Sequence, residues 1–121
     1  MRTMMSAAQA GLVRALYAVA EKTLPDVRAD PEALVIAQQQ VEPWASITFS
    51  GQRHHIALCL GGPVAQQEKL ARALEEAVAH MECRITGHYL VDALVRRLCT
   101  EEDAGVVRTR MEIEAVTLLE D

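Results

Sequence analysis

Aromatic side chains are scarce: one Trp, two Tyr and one Phe serve the whole of a 121-residue chain. Surfaces that stack bases or sugars gather several rings, so that class of binding has little to build on. The core must be aliphatic instead. Basic charge is also short. Twelve Lys and Arg stand against seventeen Asp and Glu, a formal net charge of −5. Phosphate backbones are held by clustered cations. The densest clusters here are Arg96-Arg97 and the Arg108/Arg110 pair, which argues against a nucleic-acid partner. Cysteines are few, odd in number and widely spaced: Cys59, Cys83 and Cys99. That spacing supports neither a disulfide framework nor a zinc ribbon. It suits three reduced thiols in the cytoplasm. Long apolar runs are missing too. No stretch of about 18 apolar residues occurs, and the apolar N-terminal stretch is broken by Arg14. The expectation is no membrane span and no secretory signal.

What remains is a chain that is half hydrophobic, enough for one domain with a sizeable core. Ser6-Ala7-Ala8-Gln9 has capping-box spacing, with Ser6 as N-cap and Gln9 reaching back. A helix is predicted from Ala7 to Thr23, its stripe made by Leu12, Leu16, Val19 and Ala20. Leu24 before Pro25 ends it. Asp30-Pro31 reads as a second helix start, which favours a short helix over 31–40, with a strand through "ALVIA" as the alternative. From Trp44 the period becomes two, with Ile47 and Phe49 alternating with Ser46 and Thr48. Ser50-Gly51-Gln52 is turn material. His54, Ile56, Leu58 and Leu60 then point one way, and His55, Ala57 and Cys59 the other.

Gly61-Gly62-Pro63 breaks this strand and opens the clearest helix, with Gln67, Leu70, Ala71, Leu74, Ala77, Val78 and Met81 on one side. The next strand is predicted to begin between Glu82 and Ile85, with Gly87 as a bulge. "HYLVDALVRRL" is apolar on both faces: Tyr89, Val91, Ala93 and Val95 on one, Leu90, Leu94 and Leu98 on the other, with Asp92 among them. Such a strand is central, or its second face meets a partner. CTEEDAG reads as a turn. VVRTRMEIEAVTLL alternates, with Val107, Thr109, Met111, Ile113 and Ala115 inward and Arg108, Arg110, Glu112 and Glu114 outward.

The fold class is therefore α+β: a largely antiparallel four-stranded sheet, order α(α)-β-β-α-β-β, with helices packed mainly on one face. Residues 1–121 form a single domain, an N-terminal helical segment over 1–40 packed on a ββαββ core over 44–119.

Chemical motifs are thin. His54 and His55 are strand neighbours and leave on opposite faces, so no metal site is expected, and no cofactor. The chain has no GxSxG, Walker or GxGxxG spacing. A carboxylate in an apolar run is costly unless paired, which singles out Asp92. The expected function is protein interaction by a small cytoplasmic scaffold that self-associates as a homo-oligomer, with a homodimer the simplest form. The alternative is a small-ligand-binding protein or enzyme, with a pocket of Trp44, Arg53, His54, His88 and Asp92 at one end of the sheet doing acid–base work. A weaker third option is anion binding at the helix start after Gly62.

Overall fold

The computed structural model describes residues 6–80, 85 and 87–119, with side chains at all of these except 99, 101 and 103. Two helices and four strands follow one another as α1 (Ala7–Thr23), β1 (Leu34–Ala45), β2 (Ser50–Leu60), α2 (Val64–Ala79), β3 (His88–Asp103) and β4 (Val106–Leu119). The sheet is antiparallel with strand order β1-β2-β4-β3. β2 and β3 thus run parallel with β4 between them. Joined through α2, they make a split β-α-β unit. The α+β class and the element order agree with the sequence.

α1 begins where its cap predicts. Ser6 is extended (φ −67°, ψ 157°) and its Oγ accepts from the Gln9 N–H at 3.1 Å. The Gln9 side chain does not complete a capping box. It is buried, and its Nε2 donates to the Gln40 carbonyl of β1 at 2.9 Å. Leu24 is extended, as the residue before a proline must be.

The helix expected over 31–40 is overturned: residues 34–45 form β1. Tertiary pairing outweighs the helix-start signal at Asp30-Pro31. Leu34 and Ile36 lie opposite Leu60 and Leu58 and face the core, and a bulge at Ala37 resets the register. Pro43 is tolerated because β1 is an edge strand. The turn is likewise displaced. It spans Ser46 to Phe49, with the Ser46 N–H donating to the Phe49 carbonyl at 2.8 Å and the Phe49 N–H to Ser46 Oγ at 3.2 Å. Ile47 (104 % exposed) and Phe49 (61 %) therefore crown a hairpin tip rather than line a strand. Gly51 lies inside β2, where a Cβ would meet the Thr117 carbonyl oxygen at 2.0 Å.

The remaining segments follow the two-residue and 3.6-residue periods. His54, Ile56, Leu58 and Leu60 of β2, and Thr109, Met111, Ile113 and Ala115 of β4, are all buried against the helices. α2 buries Gln67, Leu70, Ala71, Leu74, Ala77 and Val78; Met81 lies outside the described residues. α1 adds Leu12, Leu16 and Ala20 to the same core. Both helices thus cover one face of the sheet. Gln67 is the polar member of that core. Its Nε2 donates to the carbonyls of Gly62 (2.8 Å) and Val107 (2.6 Å), and its Oε1 accepts from Thr109 Oγ1 (2.8 Å). The amide is satisfied and ties the start of α2 to β4. Arg97 reaches from β3 to the helix side and donates to Glu68 (2.5 Å) and Glu75 (2.6 Å), one fork spanning two turns of α2. The Arg97 hydrogen bond, with that of Arg72 after it, holds the Glu68 carboxyl below the usual range.

β3 differs from expectation in three respects. Ile85 makes only an isolated bridge to His88, across a turn with Gly87 at φ 80°, so the strand starts at His88. The part of the predicted start at Glu82 lies outside the described residues. Residues of CTEEDAG extend the strand to Asp103, and the turn is confined to Ala104 and Gly105, whose φ of 52° and 82° give the mirror-image twist that suits a two-residue hairpin. Finally, β3 is an edge strand and not a central one.

Two substitutions test this packing. Leu74→Ala, at a fully buried position, is expected to lower unfolding free energy by about 2–5 kcal/mol. Gly51→Ala, which forces apart β2 and β4, is expected to cost about 1–3 kcal/mol. Urea denaturation measures both.

Candidate functional site

With both helices on one side, the other face of the sheet is left open. Strand register sets its rows. Trp44, Gly51, Leu118 and Tyr89 cross the four strands in one row, and Glu42, Arg53, Val116 and Asp92 in the next. Gln40, His55, Glu114 and Leu94 follow, then Gln38, Ala57, Glu112 and Arg96. The centre of this face is polar. His55 Nδ1 lies 3.5 Å from Glu114 and its Nε2 3.7 Å from Glu112, while Arg96 Nη2 donates to Glu112 at 2.9 Å.

The β3 margin is different. Tyr89, Val91, Leu94 and Leu98 are 54 %, 45 %, 54 % and 48 % exposed. A bulge between Leu90 and Asp92 explains the distribution. It rephases the strand so that Leu90, Ala93 and Val95 pack on the core while Asp92, Leu94 and Arg96 share the open face. The sequence reading, which set Leu90 with Leu94 and Val91 with Ala93, lacked that extra residue. Asp92 is not buried: the carboxylate in the apolar run is exposed to water.

The five residues singled out from the sequence divide between the two faces. Trp44, Arg53 and Asp92 lie on the open face. Arg53 and Asp92 share a row but are separated by Val116, which puts their strands about 10 Å apart at the usual spacing. His54 and His88 lie on the helix side. His54 is fully buried, with Nε2 2.8 Å from Thr117 Oγ1 and Nδ1 without a hydrogen-bond partner among the described residues. Burial, and then the nearby His88, push its pKa below the ordinary histidine value, so the ring is neutral near pH 7. The sheet thus brings two of the five together on one side and keeps three on the other.

Nucleophile candidates are equally dispersed. Ser46 Oγ closes the hairpin turn, Ser50 is exposed at the start of β2, and Cys59 is half-buried opposite Val35 and Arg110. Two open clefts run between α1 and α2, lined by Lys69, Arg72, Glu76 and His80 among others; none of the five candidates lines either. Among the described residues, no group of three His, Cys, Asp or Glu side chains is disposed to hold a metal ion, and no helix is long and apolar enough to cross a membrane. The outward row of β3 is the feature the sequence reading placed least well, because one inserted residue decides which side chains it contains.

No family model matches the sequence, and no curated protein matches it. Among solved structures the chain is similar to the type 4 fimbrial biogenesis protein PilO from Pseudomonas aeruginosa, with a TM-score of 0.47 and 12 % identity over 93 % of this chain and 68 % of that one. It is also similar to a chain of the virion of a native gene transfer agent particle, with a TM-score of 0.45 and 18 % identity over 88 % of this chain and 97 % of the other.

The buried His54 makes stability depend on pH. Its folded pKa is depressed, so between that value and about 6.5 the unfolded chain binds a proton that the folded chain does not. Stability is therefore full above about pH 6.5 and falls as pH drops towards the folded value, with a limiting slope of about 1.4 kcal/mol per pH unit. Urea midpoints from pH 8 to pH 5 should show this decline, and His54→Leu should flatten it in that window.

Proposed function

We propose that this chain is a non-enzymatic protein-interaction module, a small cytoplasmic scaffold that works by self-association and needs no cofactor. The observation that carries the reading is the set of exposed apolar side chains along β3. Four large apolar side chains stand about half exposed along one 16-residue edge strand. Edge strands offer unpaired backbone groups as well, so apolar area and hydrogen-bonding capacity coincide on the same segment. Large apolar side chains left exposed on a small domain point to an interaction surface. The net charge of −5 favours a protein partner over nucleic acid. Three thiols without a framework spacing suit a reducing compartment.

The ligand-binding or enzymatic alternative is the weaker reading. It needs Trp44, Arg53, His54, His88 and Asp92 around one cavity, and the sheet stands between them.

Size-exclusion chromatography with light scattering tests the proposal. The expected result is a mass of twice 13.3 kDa at micromolar concentration, falling towards the monomer on dilution. A monomer persisting at high micromolar concentration would overturn it.

A further inference from the structure

β3 carries a pattern that reads the same in both directions. The two irregularities in its pairing with β4 fall between Leu90 and Asp92 and between Arg97 and Cys99. Between them lies one regular run, Asp92 to Arg97. Within that run the open-face side chains are Asp92, Leu94 and Arg96, all exposed. Opposite charges thus flank a central leucine at equal spacing. Turning the strand end for end about Leu94 sets Asp92 on Arg96 and Arg96 on Asp92. The same rotation sets Ala93 on Val95, two apolar residues on the helix side.

Among the described residues Asp92 makes no ion pair. Arg96 is paired with Glu112, but a guanidinium has five N–H donors and can hold a second carboxylate. Leu94 stands 54 % exposed at the centre.

We infer that two copies of this chain pair along β3, antiparallel, about a two-fold axis through Leu94, with Asp92 of each copy against Arg96 of the other. This deepens the proposed self-association and rests on it. A two-fold interface must be self-complementary, and charge of both signs placed symmetrically on one strand meets that condition. The axis stands perpendicular to the sheet, so the two sheets become one of eight strands with every helix on the same side. The charges also fix the register. Sliding one copy by two residues either way opposes Asp92 to Leu94 or to Leu98, and both ion pairs are lost. Charged residues on an exposed edge discourage indiscriminate strand addition; here they admit one partner in one alignment.

Charge reversal tests the register. D92R opposes arginine to arginine, and R96D opposes aspartate to aspartate. Each is expected to weaken the dimer about tenfold or more by sedimentation equilibrium, since two cross-strand pairs turn repulsive at once. The double variant D92R/R96D restores both pairs and is expected to return the dimer to within about threefold of the unmodified chain. Circular dichroism checks that each variant folds. Should a variant not fold, L94C in a background lacking the three native cysteines supplies an independent measure. Residues at the axis face each other with Cβ atoms about 4.5–5.5 Å apart, so L94C should cross-link rapidly under mild oxidation. L98C, about 26 Å from its symmetry mate at the usual rise per residue, should not. A dimer unmoved by either single reversal, or a faster cross-link at 98 than at 94, overturns this interface and leaves self-association through another surface. A double variant no better than the singles overturns the register. An unmodified chain that stays monomeric overturns both the interface and the reading beneath it.

Discussion

Ile56 lies opposite Ile113 and Leu58 opposite Met111, and that alignment of β2 with β4 decides which face of the sheet goes dry. Side chains alternate along a strand, so a slip of one residue would carry the whole apolar set to the wrong side. With the register as it stands, four apolar residues of two central strands meet Leu12 and Leu16 of α1 and Leu70 and Leu74 of α2 in one cluster. Each fully buried leucine contributes roughly 1.5–3 kcal/mol. The polar residues carried inward by the same alternation are then obliged to find partners. Thr109 meets Gln67, and Thr117 meets His54.

The other consequence is an uncovered face. Two helices cover one side of a four-stranded sheet and leave the second to water or to a partner. The middle strands solve this with polar side chains, His55, Glu112 and Glu114, which Arg96 of β3 joins through Glu112. These are partly exposed pairs, and such pairs contribute little to stability. Their effect is to keep the centre of the face wet. The β3 margin follows the opposite rule, with large apolar side chains left standing out. The contrast between a hydrated centre and an apolar edge is what directs attention to the edge.

Much of this was legible in the sequence, and the exceptions have identifiable causes. Period-3.6 spacing gave both helices, and α1 starts and stops where Ser6 and Leu24-Pro25 say it does. Period-two spacing gave the inner faces of β2 and β4 residue by residue. Local signals misled where tertiary pairing overrides them. Asp30-Pro31 resembles a helix start, yet β1 is drawn into the sheet by β2; Pro43, which only an edge strand tolerates, was compatible with that outcome. Gly51 resembled a turn residue, but its missing Cβ serves the close approach of Thr117. The site was less legible than the fold. His54 and Asp92 fall on opposite faces because of strand parity and a bulge near Val91, and no composition signal announces a bulge. The odd carboxylate in an apolar run was visible at once; its place on the outer row was not.

The central claim is that β3 is an edge in the single chain and an interior strand in the pair. Amide hydrogen exchange followed by NMR at several protein concentrations reads this directly. Amides of β2 and β4 are expected to exchange slowly at every concentration. Alternate amides across Asp92–Arg96, those facing away from β4, should be fast in dilute solution and become protected as concentration rises. If those amides exchange at one fast rate throughout while the protein is demonstrably associated, β3 is not where the copies meet.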